Sequence, residues 1–367
     1  MAKKTIVVSG INMVEGGIFT ILHNCLQKLA AYDSHNELKI YALVHDASQF
    51  DFECKDRIHF IEFPKSKQFW GNRLYYEYNH FKKLSLELKP DVWFSLHDIS
   101  PNVVCEKQFV YCHNPNVFYK PNRNDWKLEY KVGLFHYLYQ ILYRTNIKKN
   151  KAVFVQQHWI AAKFRKRFGI SNVYVATPEY VGENEIVAVT LDPNFIHFFY
   201  PSFPRSFKNF ELIGEAVRLL PDSIKNKIKV HLTIAENDNN YSKYIVNHYP
   251  LEQLNYIGRI SRAEVFGYYQ KMDCLLFPSK IETWGLPISE AKGFDKPILL
   301  ADLPYAKESV GNYDKVSFFD SSSPQALAAL MSQFVTNTIS YTGNKYIFDS
   351  EDQFNDWNSL FDFILKD

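Results

Sequence analysis

Two glutamates, Glu282 and Glu290, flank a short Thr-Trp-Gly-Leu-Pro segment within "FPSKIETWGLPISEAKGFDKPILLADLP", residues 277–304. The apolar run "CLLFPS" has strand length and stops at Pro278 and Ser279. Pro287 suits the first position of a helix, where its missing N–H costs nothing. "PISEAKGF" then reads as that helix and "KPILLAD" as the next buried strand, a βαβ unit with a right-handed crossover. Open α/β sheets bind ligands at the carboxyl ends of their strands. Here the amides that follow Thr283, those of Trp284, Gly285 and Leu286, approach the positive end of a helix, an anion seat. Gly285 lets the backbone come close. Carboxylates are poorly placed for phosphate but accept hydrogen bonds from sugar hydroxyls. The pattern asks for a ligand carrying both. Taken singly, Glu290 is equally a first-turn glutamate favoured by the helix dipole, and Glu282 a solvated loop residue.

As a whole the segment resembles the E-x7-E signature of family-4 retaining glycosyltransferases, approximately P-S-x-x-E-x-x-G-L-P-x-x-E-A. Pro278, Ser279, Glu282, Gly285, Leu286, Pro287, Glu290 and Ala291 all match it. The resemblance is strongest over residues 197–310. It implies that Glu282 binds donor-sugar hydroxyls and Glu290 the ribose diol. In "FPRSFKNFELIGEA", Arg205 and Lys208 precede a helix, at the place where the family holds the donor diphosphate with an Arg and a Lys. An isolated R-x-x-K would be a solvated basic turn. In "VEGGIF", Gly16 and Gly17 offer amides to a phosphate, although a tight turn explains two glycines equally well. His113 ends the strand-like "VYCH", where the family commonly has a His near the transferred sugar; His97, beside Asp98, competes for that role. Arg259 and Ile260 in "LNYIGRISRAEVF" resemble the segment beside the nucleotide base. Many relatives have a glycine-rich turn where this chain has "TIAENDNN", which leaves the base open. No metal site emerges. Asp349-Ser350-Glu351 is the nearest approach to a D-x-D, and the resemblance implies cations and helix dipoles in place of Mg²⁺.

The elements that must position these groups are legible along the chain. Its 367 residues suggest two domains. "TIVVSG", "ELKIYALVH", "IHFIEF", "PDVWFSLH", "QFVYCH" and "NKAVFVQQ" read as strands of the first half; "NFIHFFYPSF", "KIKVHLTIA", "LNYIGRI", "CLLFPS" and "PILLAD" as strands of the second. The expected fold is α/β, two Rossmann-like domains facing a cleft. The resemblance names this the GT-B fold, with the C-terminal helix returning to the N-terminal domain. The boundaries read as 1–178 with about 350–367 for the acceptor side, and 179–349 for the nucleotide-sugar side, linked near 177–192.

Composition narrows the class. The chain is 46% hydrophobic, with a net charge of only +2, so nucleic acid is not an expected partner. Aromatics at 16% exceed what a core needs and suit carbohydrate or interfacial contacts. Five cysteines without C-x-x-C spacing read as reduced, buried thiols of a cytosolic protein. "MAKKTIVVSGI" reads as a first strand and not a signal peptide, and no run is long enough to span a bilayer. Residues 126–151 combine aromatics with a basic end, Arg144, Lys148, Lys149 and Lys151, followed by Arg165-Lys166-Arg167. That suits peripheral contact with an anionic membrane, or equally a helix packed into the core with a solvated end. The reading is a metal-independent retaining glycosyltransferase, acting from a nucleotide-sugar donor on a glycan or lipid-linked glycan. A dinucleotide oxidoreductase would need G-x-G-x-x-G after a strand, and none occurs. A non-catalytic nucleotide-sugar-binding subunit would be expected to lose Glu282, Glu290, Arg205 or Lys208, which are intact.

Overall fold

A computed structural model describes residues 3–177, 186–346 and 353–366. Among these the strands are β1 (Lys4–Ser9), β2 (Leu38–Val44), β3 (Ile58–Glu62), β4 (Val92–Ser95), β5 (Lys107–Cys112), β6 (Ala152–Val155), β7 (Val173–Ala176), β8 (Ile196–Tyr200), β9 (Ile228–Leu232), β10 (Leu254–Tyr256), β11 (Cys274–Phe277), β12 (Ile298–Ala301), β13 (Val316–Phe319) and β14 (Gln353–Phe354). They form two separate sheets, both parallel. Each strand run expected from the sequence forms. The short β7, β13 and β14 went unread.

The first unit comprises residues 1–117, 137–179 and 349–367. Its sheet runs β14-β7-β6-β5-β4-β1-β2-β3. Because β1 is covered on both faces, its side chains divide by parity. Ile6 and Val8 join a core with Leu22, Leu26 and Leu29 of the helix Gly16–Tyr32, whereas Val7 packs on the other face with Phe81 and Trp93. The C-terminal helix Trp357–Leu365 closes the first of these cores through Trp357, Leu360, Phe361 and Ile364. Its C-terminal half is held as well, by Lys4 Nζ donating to the Leu365 carbonyl at 2.8 Å and Tyr32 O–H to Asp362 at 2.6 Å. The tail therefore belongs to the N-terminal unit, as expected.

The second unit comprises residues 118–136 and 180–348. Its sheet runs β10-β9-β8-β11-β12-β13, so the strand order reverses between β8 and β11. That reversal is the topological switch point at which such sheets receive ligands. The expected βαβ unit is present: β11, the helix Leu286–Gly293 and β12, with Leu275 opposite Ile298. One boundary is corrected. Residues 118–136, read as part of the first domain, group with the second, because the helix Arg123–Leu128 and Glu129 pack onto the turn after β8. Half of the expected link, residues 178–185, and Asp349-Ser350-Glu351, within 347–352, lie outside the described residues.

Candidate functional site

In the second unit, β8 leads into a tight turn, Ser206–Lys208, and then the helix Phe210–Leu219. The turn is pinned to the loop after β11. Asn209, in a left-handed conformation, donates from Nδ2 to the carbonyls of Pro278 (3.1 Å) and Ser321 (2.9 Å), and Lys280 N donates to the Phe207 carbonyl at 2.7 Å. These pins bring together two residues seventy-four positions apart: Lys208 Nζ lies 2.5 Å from Glu282 Oε1. Both side chains are largely shielded, 18% and 12% exposed, so the pair is far less screened than a surface bridge.

Arg205 does not join that pair. Its Nη1 meets Glu129 Oε1 at 2.9 Å, while Glu129 Oε2 accepts from the Ser206 amide at 2.6 Å. Its guanidinium also lies over the Phe203 ring at 5.1 Å, and Arg259 lies over the same ring at 4.6 Å. One aromatic ring thus gathers two of the predicted site cations. Ile260, next in sequence, is half-buried.

Gly285 sits at φ +78°, where an L side chain is strained, and an added Cβ would come within 3.0 Å of Ile288 Cδ1. It caps the helix Leu286–Gly293, whose first turn carries Pro287, and no side chain occupies the cap. The free amides expected at Trp284, Gly285 and Leu286 are thereby set at a helix N-terminus, after a half-buried Thr283. Trp284 is fixed by its indole N–H to Ser289 Oγ (3.0 Å) and by its carbonyl, which accepts from Ser309. Glu290 is buried, and both its oxygens already accept: Oε1 from Arg262 Nη2 and Oε2 from Tyr269 O–H, each at 2.7 Å. A second lone pair on each oxygen stays available to a hydroxyl donor.

Residues 184–346 match the family described as glycosyl transferases group 1. No curated protein sequence matches the chain. Its fold is similar to that of WaaG, a glycosyltransferase involved in lipopolysaccharide biosynthesis (TM-score 0.69, 13% identity, covering 99% of this chain and 100% of that one). It is similar too to sucrose-phosphate synthase from Thermosynechococcus elongatus (0.67, 14%, 92% and 90%) and to Anabaena Alr3699/HepE in complex with UDP-glucose (0.56, 12%, 91% and 90%). At such identities the likeness is one of fold, and that fold is GT-B.

The remaining predicted residues lie in the first unit. Gly16, at φ +66°, and Gly17 open the helix Gly16–Tyr32, both exposed and with no side-chain cap from Glu15. His113 is buried at the end of β5 and packs on Tyr111 at 4.2 Å between ring centroids. Its Nδ1 meets Gln156 at 3.1 Å, and its Nε2 is buried without a partner in the chain. Burial lowers its pKa, against the opposing pull of Asp98. Burial lowers that of His97 further, helped by Arg73. Asp98 is the hub that sequence reading passed over. It is buried at φ +64°, and its Oδ1 accepts from the His113 amide (2.6 Å), the Asn114 amide (3.0 Å) and Tyr143 O–H (2.9 Å).

Glu129, Arg262 and Tyr269 were also missed. Each reaches its partner across a gap in the sequence that no local pattern spans; only the Ser261–Glu264 capping box marked where Arg262 begins a helix. Among the described residues, no group of three or more His, Cys, Asp and Glu could hold a metal ion. The cysteines are unpaired, but Cys54 and Cys105 are only half-buried, short of the burial expected for all five.

Proposed function

We propose that the protein is a retaining glycosyltransferase, moving a hexose or related sugar from a nucleotide donor to a hydroxyl of a glycan or lipid-linked glycan, in cell-surface polysaccharide or glycoconjugate synthesis. The observation that carries this reading is the shielded Lys208–Glu282 pair, next to the Gly285 helix terminus, inside the matched domain. A cation and open amides suit a diphosphate; a carboxylate beside them suits sugar hydroxyls. Glu282 then binds donor-sugar hydroxyls, Glu290 the ribose diol, and Arg259 and Ile260 flank the base. HepE is described in complex with UDP-glucose, which makes that compound the first donor to test.

In this reading the acceptor hydroxyl forms its bond to the anomeric carbon on the face from which the diphosphate leaves. The bond to the diphosphate oxygen breaks, and a phosphate oxygen takes the acceptor proton. Lys208 and Arg205 hold the growing negative charge, a role in which one preorganised donor is worth ~3 kcal/mol of barrier. No metal and no protein nucleophile are required. His113, held neutral by burial, is the candidate group beside the transferred sugar.

The protein is assigned to the cytoplasm, with peripheral contact at the inner face of the membrane. Support comes from the helix Tyr130–Arg144, on which Tyr130, Leu134, Tyr137, Leu138 and Ile141 are exposed while Tyr139 and Tyr143 are buried. The aliphatic stripe faces out with Tyr130 and Tyr137, while Tyr139 and Tyr143 face in. Arg144, Lys148 and Lys149 follow it, all exposed. Among the described residues no helix is long and apolar enough to cross a membrane.

A thermal-shift panel of nucleotide sugars tests the donor assignment, since a ligand bound by the native state alone raises Tm. UDP-glucose or another nucleotide sugar should raise it, and Lys208→Ala should abolish the rise. No shift with any nucleotide sugar would reject the reading.

A further inference from the structure

The helix Arg262–Lys271 presents Arg262 and Tyr269, about two turns apart on one face, to the helix that carries Glu290. Arg262 ties Oε1 of that carboxylate and Tyr269 ties Oε2, each at 2.7 Å. The two holders are built differently. Arg262 is exposed and lies over the Phe266 ring at 5.0 Å. Tyr269 is fully buried, its ring edge-on to Phe199 (5.7 Å) and Phe266 (5.8 Å) and tilted against Phe294 (6.1 Å). Phe294 directly follows the helix Leu286–Gly293, and Phe266 meets it edge-on at 5.8 Å. The rings of Phe266, Tyr269 and Phe294 thus weld the two helices, and their packing fixes both torsions of the tyrosine.

A phenylalanine at this position would pack against the same rings, so what the hydroxyl adds is its bond to Glu290. The last torsion of a glutamate is soft, and a carboxylate held at one oxygen turns about it. With Oε1 and Oε2 both tied, the carboxylate plane is set, and each oxygen keeps one lone pair in a fixed direction. A vicinal diol fills that arrangement, with one O–H to each oxygen. A 2′-deoxyribose fills half of it and forgoes one of the two bonds, which costs binding.

We propose that Tyr269 is a positioning residue that, with Arg262, sets a preference for ribose over 2′-deoxyribose in the nucleotide. The inference rests on the reading of Glu290 as the ligand of the ribose diol. Calorimetric titration of the full chain with UDP and 2′-deoxy-UDP, and with the ADP and GDP pairs, measures the preference. The wild type should favour one ribonucleotide over its 2′-deoxy form by about thirtyfold, and Glu290→Ala should erase the preference. Tyr269→Phe should cut it about tenfold through weaker binding of the ribo form. The 2′-deoxy form should stay within about twofold of its wild-type affinity, because a single O–H needs no fixed carboxylate plane. Arg262→Met, at the exposed start of the helix, should cut the preference by a similar factor, and it carries the test where Tyr269→Phe does not fold. A preference erased by Glu290→Ala yet kept in both variants overturns the proposal alone. So does an equal loss for the two forms, which marks a clamp between helices and no more. A wild type that binds no nucleotide, or binds ribo and 2′-deoxy forms alike, overturns the ribose assignment itself and the proposal with it; so does a preference that survives Glu290→Ala.

Discussion

Substituting Glu282 by Gln keeps the shape of the side chain and removes its charge, so it isolates what the carboxylate does for Lys208. The pair lies at 2.5 Å, shielded on both sides. At an effective dielectric of about 20, the gross attraction at that separation is ~7 kcal/mol. Desolvation of the two ions offsets most of it, leaving the ~1.5–3 kcal/mol typical of a charge-assisted bond. The amide can still accept from Lys208, so the folded state should lose about 2 kcal/mol, read as a lower urea midpoint. Catalysis should lose more. Without the carboxylate, donor hydroxyls lose an acceptor and Lys208 its positioning; at ~3 kcal/mol of transition-state stabilisation, kcat/KM falls by about 150-fold. Lys208→Met should fall by a similar factor, and the double variant should be little worse than either single, because the two act as one unit. Initial rates and urea midpoints for the four proteins complete the cycle. If Glu282→Gln kept wild-type kcat/KM, or if the two losses simply added in the double variant, the reasoning would be refuted.

Transfer should survive EDTA unchanged, as cations and amides carry the diphosphate; activity lost on chelation and restored by Mg²⁺ or Mn²⁺ would contradict this. The protein should sediment with anionic liposomes at low salt and be released at high salt, and Leu134→Asp with Ile141→Asp should reduce that binding; equal, negligible binding to anionic and neutral vesicles would leave a soluble acceptor as the better reading. The third prediction concerns pH. His231, buried against His197 with 2.9 Å between their ring nitrogens, has its pKa pushed down to about 4 by burial and by the neighbouring His197 and Lys229. A histidine whose folded pKa is depressed contributes stability above the unfolded value near 6.5, lost as pH falls towards about 4, with a ceiling of ~3 kcal/mol. His231→Asn should therefore flatten the fall of the urea midpoint across that window; an unchanged slope would show that the ring is not held neutral.

The parts of this molecule that were legible in sequence are those written in short-range pattern. Buried parallel strands such as "TIVVS" and "CLLF" announce themselves as continuous apolar runs, and the Gly285–Leu286–Pro287 turn encodes its own helix start. The carboxylate and cation partners Glu282 and Lys208 were each found locally, although nothing local says that they meet; that contact depends on Asn209 bridging two loops. Longer reach defeated the reading. Glu129 belongs to a segment that leaves its sequence neighbours for the other unit, and its hold on Arg205 follows from that excursion. The Arg262 and Tyr269 grip on Glu290 comes from another helix altogether. In the helix Tyr130–Arg144 apolar character alone could not say which face turns inward. Tyr139 and Tyr143 lie on the buried face, where Asp98 gives Tyr143 a partner and Arg73 gives Tyr139 one, at 2.9 and 3.4 Å.

The central claim is retention of configuration in sugar transfer from a nucleotide donor. It is tested most directly by following the anomeric proton by NMR while the full chain acts on UDP-glucose, or on whichever donor the thermal-shift panel selects. The account predicts release of the nucleoside diphosphate with a first-formed product that keeps the donor's anomeric configuration, and loss of both signals in Lys208→Ala. A product of inverted configuration, or no diphosphate released from any donor, would contradict it.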